Sequence, residues 1–139
     1  MTPTPPRLLQ HAAAAAASLA SLLLAAPGFA ATPAELLSGY AAQAGGPASP
    51  ARGQQLFTTT HGREWSCASC HGAPPTPPGK HASTGRPIRP LAPAFNPERF
   101  ADAAKAEKWF RRNCNDVLGR ECTAGEKADV LSWLLTLQP

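Results

Sequence analysis

Several things are scarce in this chain. Its one methionine among 139 residues is Met1, and one tyrosine, three tryptophans and five phenylalanines bring the aromatics to only 6%. Charged residues make up 16%, with 13 basic against 9 acidic and a net charge of +4. A surplus that small, with no aromatics interleaved among the basic residues, excludes an electrostatic footprint for nucleic acid. No stretch alternates apolar and polar residues over strand length, which excludes a sheet protein. No apolar run reaches the ~20 residues that a bilayer span needs. Beyond Met1 there is no thioether to fill a core or to offer a soft metal.

The longest apolar run covers 12–26 (AAAAAASLASLLLAA), behind Arg7 and ahead of Gly28-Phe29-Ala30. A positive start, a short apolar centre and small residues at the two positions a signal peptidase reads form an export leader. Cleavage is expected after Ala30, leaving residues 31–139 as one domain in the periplasm, without membrane insertion. Losing Arg7 lowers the charge from +4 to +3. A domain of that size is short of core, so a covalent staple or a large cofactor is expected.

The expected architecture is all-α. Thr32-Pro33-Ala34-Glu35 reads as a capped helix start, with the helix running to about Gln43. The linker Gly45-Gly46-Pro47-Ala48-Ser49-Pro50 follows. A second helix is expected over about Ala51–Thr59, with Gly53 and Phe57 four apart on one face. Between Gly72 and Pro97 there are eight prolines, so that stretch is read as an irregular loop. A third helix starts near Pro97-Glu98 or at Asp102 and runs to about Asp116. Thr123 and Glu126 form a second capping box for the last helix, whose apolar face is Val130, Leu131, Trp133, Leu134 and Leu137.

Cys67-Ala68-Ser69-Cys70-His71 carries the chemistry. Two thiols three positions apart can bond the two vinyl groups of one porphyrin, and the next imidazole then meets its iron. A zinc knuckle would need a second ligand pair, for which His61 is the one nearby candidate. A thioredoxin-like pair would need a βαβ setting, which is absent. One covalent haem c is therefore expected, with Cys67 and Cys70 as attachment points and His71 as proximal iron ligand.

Around this motif the chain resembles the class I cytochromes c. Gly53, Leu56 and Phe57 stand where that family has its N-terminal helix, and Gly53 would permit a close crossing with the last helix near Trp133. The resemblance also implies a loop carbonyl orienting the proximal histidine, with Pro90 as the candidate.

Class I cytochromes c ordinarily place a methionine on the far side of the iron, and this chain has none to give. His61, His81, Lys80, Asn96, Asn113 and Asn115 are the alternatives. His61 falls at a helix end on the wrong side of the attachment loop, and Lys80 must lose a proton to bind. His81 sits in Gly79-Lys80-His81, where a flexible backbone could swing it inward. Asn113 lies on the stripe Ala106, Trp109, Phe110, Asn113, Val117, a core-facing period. Asn115 falls on the other side of the helix. On spacing alone, Asn113 is equally an iron ligand or a helix-end asparagine bonded to backbone carbonyls.

The run Ala104-Lys105-Ala106-Glu107-Lys108-Trp109-Phe110-Arg111-Arg112-Asn113-Cys114, with Val117-Leu118-Gly119-Arg120-Glu121-Cys122-Thr123, resembles the SHP-type (sphaeroides haem protein-like) cytochromes c. So does the loop Gly79-Lys80-His81…Thr84-Gly85…Pro90-Leu91-Ala92-Pro93. The resemblance implies that Asn113 is a labile distal iron ligand, released on reduction so that diatomic gases such as oxygen and nitric oxide can bind. A neutral amide oxygen, a hard donor, suits ferric iron better than ferrous.

Cys114 and Cys122 enclose seven residues and lie outside any C-x-x-C. Export favours a disulfide between them, as does the resemblance, worth roughly 2.5 kcal/mol in the chain-entropy model. Lys105, Lys108, Arg111 and Arg112 read as a solvated face, a propionate contact, or a steering patch for an acidic redox partner. The expected function is electron transfer with gas binding, served by a multihaem or membrane cytochrome as redox partner. The alternative is a plain six-coordinate electron carrier with a histidine as sixth ligand. No general acid is evident close to Asn113, so catalysis of oxygen or nitric oxide reduction ranks last.

Overall fold

In the computed structural model, which describes Met1 and residues 31–139, every long helix begins at a side-chain cap. The expected export leader lies, apart from Met1, outside the described residues. Helix α1 spans Pro33–Ala44 behind a complete Thr32–Glu35 capping box and stops at Gly45, whose φ of 70° is left-handed. Helix α2 spans Pro50–Thr58, one residue earlier than expected, because Ser49 caps it and Pro50 fits the first turn. The short α3, Ala68–His71, is the C-x-x-C-H turn itself. Helix α4 spans Ala103–Leu118, which selects Asp102 over Pro97 as its start. Helix α5 spans Ala124–Thr136 behind the Thr123–Glu126 capping box.

The proline-rich loop is more regular than its composition suggested. Strands β1, Gly79–Lys80, and β2, Pro87–Ile88, pair antiparallel, and a 3₁₀ turn follows at Pro93–Phe95. Strands of two residues are too short to show alternation, so the hairpin was invisible to periodicity.

The frame is the crossing of α2 and α5. Gly53 presses on the α5 backbone: a Cβ there would meet the Asp129 carbonyl and lie 2.8 Å from Val130 N. Beside this contact, Asp129, 7% exposed, accepts from Arg52 Nε at 2.7 Å, Arg52 Nη2 at 2.8 Å and Ser49 N at 2.6 Å. Below it, Phe57 packs on Trp133 with ring centroids 5.0 Å apart, joined by Val130 and Leu134. A second cluster, Tyr40, Ala128 and Leu131, seats α1 on the other flank of α5.

Helix α4 stands apart from this packing and is reached by long side chains. Phe110 meets Tyr40 edge-on at 5.8 Å and Phe100 at 6.0 Å, and Lys127 Nζ bonds Glu107 at 2.7 Å. Ala106 and Val117 are buried as the core stripe required. Trp109, placed on that stripe by its spacing, is 40% exposed and has the Arg112 guanidinium 5.8 Å from its ring. No helix among the described residues is long and apolar enough to cross a membrane.

Candidate functional site

Helix α3 places the two motif thiols on one face, a turn apart. Both Cys67 and Cys70 are free and half-buried. Burial, with the neighbouring Cys70, pushes the Cys67 thiol up to about 11, so it is held protonated. Gly72 N donates back to Ala68 O at 2.8 Å and closes the turn. The loop hairpin leans on it: Ala82 N donates to Cys70 Sγ at 3.2 Å, and a Cβ on Gly79 would run into the Cys70 carbonyl. Gly79 is thus required by close approach, a role that Pro77-Pro78-Gly79 in the sequence did not announce.

His71 lies against Phe57, ring centroids 6.2 Å apart. Burial, and secondarily the Arg99 guanidinium, lower its pKa to about 4. The imidazole is neutral near pH 7 and keeps a lone pair for a metal. Sequence reasoning missed Arg99. It is half-buried, donates Nε to Pro90 O at 2.9 Å and Nη2 to Arg89 O at 2.9 Å, and ties the loop behind the motif.

The Pro90 carbonyl therefore does not do what was expected of it. It accepts from Arg99 Nε and from Asn96 Nδ2 at 3.1 Å, which occupies both of its lone pairs.

The proposed sixth-position residues separate by what they already bond. His61 Nε2 is 2.9 Å from Leu56 O. His81 Nδ1 lies 3.3 Å from Thr84 N and 3.2 Å from Ser83 Oγ, within the hairpin turn. That turn holds the histidine within the loop, where a flexible backbone could have swung it inward. Asn96 is buried at 4% exposure, donates to Pro90 O and accepts from Glu98 N at 3.4 Å. Asn115 Nδ2 donates to Arg111 O at 2.7 Å, the helix-end bond that was Asn113's alternative. Asn113 is half-buried, and its amide, reached by solvent, is not bonded to another described residue. Lys80 is exposed on the hairpin.

Cys114 and Cys122 are joined as a disulfide with Cα atoms 5.6 Å apart, directly after Asn113. Among the described residues, no three His, Cys, Asp or Glu side chains gather as a chelating cluster. The donors that are present suit a planar macrocycle: two free thiols a turn apart, a neutral half-buried imidazole and an amide on another helix not bonded within the protein.

The family described as a domain of unknown function (DUF1924) matches residues 43–134. Cytochrome c-type protein SHP of Cereibacter sphaeroides is 52% identical over 120 residues, which are 82% of this chain and 92% of that protein. The structure of oxidised SHP, described as an oxygen-binding cytochrome c, matches with a TM-score of 0.71 and 50% identity over 76% of this chain and 97% of that one. The crystal structure of oxidised cytochrome c'' from Methylophilus methylotrophus matches with a TM-score of 0.70 and 36% identity, over 77% and 95% respectively.

Proposed function

Since the chain belongs to the SHP-type cytochromes c, with the all-α class I cytochrome c fold, we propose that it is an exported electron-transfer protein that binds a diatomic gas when reduced. Haem c, when bound, supplies an iron that cycles between ferric and ferrous states. Cys67 and Cys70 hold it by thioether bonds formed as their thiols add to its vinyl groups. His71 presents a neutral imidazole nitrogen to one face. Asn113 Oδ1 would be the second, weaker iron ligand, released when the iron is reduced so that oxygen or nitric oxide could bind.

The observation that carries this reading is the unpartnered Asn113 amide. Asn96, Asn115, His61 and His81 are already bonded within the protein, whereas the Asn113 amide is reached by solvent and free to meet a metal. Recruiting either histidine would break bonds that shape the attachment loop or the hairpin, which disfavours the plain six-coordinate carrier. Family membership supports the haem, and the likeness to an oxygen-binding cytochrome c supports the gas. The protein works in the periplasm, with a multihaem cytochrome c or a membrane cytochrome as its redox partner.

The test is the optical spectrum of the haem-loaded protein, ferric and dithionite-reduced, with and without carbon monoxide. A high-spin ferrous form that takes up carbon monoxide at once is expected. A low-spin ferrous form inert to the gas would overturn the labile-ligand reading and leave an electron carrier.

A further inference from the structure

The C-terminal end of α4 has an unusual arrangement. An α-helix leaves its last carbonyls without partners and carries partial negative charge there. No basic residue of α4 lies in its own last turn. The cation comes from elsewhere in the chain. Arg63 stands four residues before Cys67, in the segment that joins α2 to the haem-attachment turn. Its Nη2 donates to Asn115 O at 3.2 Å and its Nε to Asp116 O at 3.4 Å. The guanidinium also lies across the helix stop: a Cβ on Gly119, whose φ is 72°, would be 3.6 Å from Arg63 Cζ.

The geometry points to Arg63 as a positioning residue that holds Asn113 at bonding distance from the iron by fixing the last turn of α4 to the haem-attachment segment. This rests on the reading of Asn113 as sixth ligand. Asn113 sits two residues before the first carbonyl that Arg63 holds and directly before Cys114. Cys114 and Val117 bury this part of the helix on one side, and Arg63 holds its exposed end on the other. The disulfide ties the helix end forward, to the segment that leads into α5. Arg63 ties it sideways, to the segment that carries the proximal half of the site. An amide is a weak ligand, and its bond weakens steeply if the helix end drifts by a fraction of an ångström. With the clamp in place, Asn113 leaves by rotating its own side chain. Without it, the backbone shares in the movement and the ferric bond loosens.

The experiment is a spectroscopic titration of the ferric, haem-loaded protein with imidazole, which competes with Asn113 for the sixth position. Four variants are compared with the parent: Arg63→Ala, Arg63→Lys, Asn113→Ala and the Arg63→Ala/Asn113→Ala double variant. Loss of charge-assisted hydrogen bonds at an exposed site should raise the apparent imidazole affinity of Arg63→Ala about three- to ten-fold. The ferric spectrum should shift toward high spin. Arg63→Lys should recover part of the effect, since an ammonium reaches one carbonyl but not both. In the Asn113→Ala background Arg63→Ala should add nothing, because there is no bond left for it to support.

An unchanged affinity in Arg63→Ala, alongside a raised one in Asn113→Ala, overturns the role of Arg63 and leaves the Asn113 reading standing. An equal rise in both backgrounds also overturns it, by marking a general loosening. If Asn113→Ala alters neither spectrum nor affinity, the Asn113 reading falls, and the Arg63 proposal falls with it.

Discussion

Replacing Gly53 by alanine tests the frame on which the site is built, because two opposite signs are possible. In the middle of an exposed helix, Gly→Ala stabilises by about 1 kcal/mol through helix propensity. At Gly53 the new methyl group meets the Asp129 carbonyl and lies 2.8 Å from Val130 N. Those are backbone atoms of α5, so nothing can rotate aside, and α2 must move away. Overpacking of that kind costs about 1–3 kcal/mol, and backbone opposition puts this case at the upper end. Separating the helices also stretches the Arg52–Asp129 bonds and the Phe57–Trp133 contact on either side. Offsetting about 3 kcal/mol by the propensity gain leaves a net loss of about 2 kcal/mol. For a domain of this size that lowers the melting temperature by roughly 8–15 °C. Far-UV circular dichroism during heating of the haem-loaded protein reads it directly. A melting temperature equal to or above that of the parent would refute the close crossing.

Two other perturbations have definite signs. The double variant Cys114→Ser/Cys122→Ser should lose about 2.5 kcal/mol in guanidinium unfolding. By freeing the helix end that Arg63 also holds, it should raise ferric imidazole affinity, and an unchanged affinity would make the bridge purely structural. Glu126 is held down to about 2, chiefly by its bond to Arg120, while Thr123 N adds to the effect. A depressed folded-state pKa contributes stability that is complete above the unfolded value of 4.5 and is lost as pH falls toward 2. Denaturation midpoints compared between the parent and Glu126→Gln should therefore converge as pH drops through that window. A constant gap would argue against the Arg120–Glu126 pairing.

What could be read in the sequence was whatever has a local cause. Thr32, Thr123 and their glutamates announce helix starts because a cap acts over three residues, and both capping boxes are formed. The C-x-x-C-H motif is local too, and so is the stripe that put Ala106 and Val117 inside. The misreadings concern side-chain partners that no local rule selects, whether near in sequence or far. Pro90 was a reasonable carbonyl for the histidine until Arg99, nine residues on, took it. Trp109 lay on the stripe by its spacing, but the core is filled at that turn by Ala106 and Phe110, and the indole is left at the edge. Asn113 and Asn115 show the distinction best. Two residues apart in one helix, they are chemically identical, and either could have made the helix-end bond. Asn115 makes it, 2.7 Å to Arg111 O, and is thereby unavailable as a ligand. Asn113 differs in its face, which spacing reports, and in its partners, which spacing does not. Selecting it from residues alone required a resemblance, and selecting it from physics required knowing which of the two amides was already satisfied.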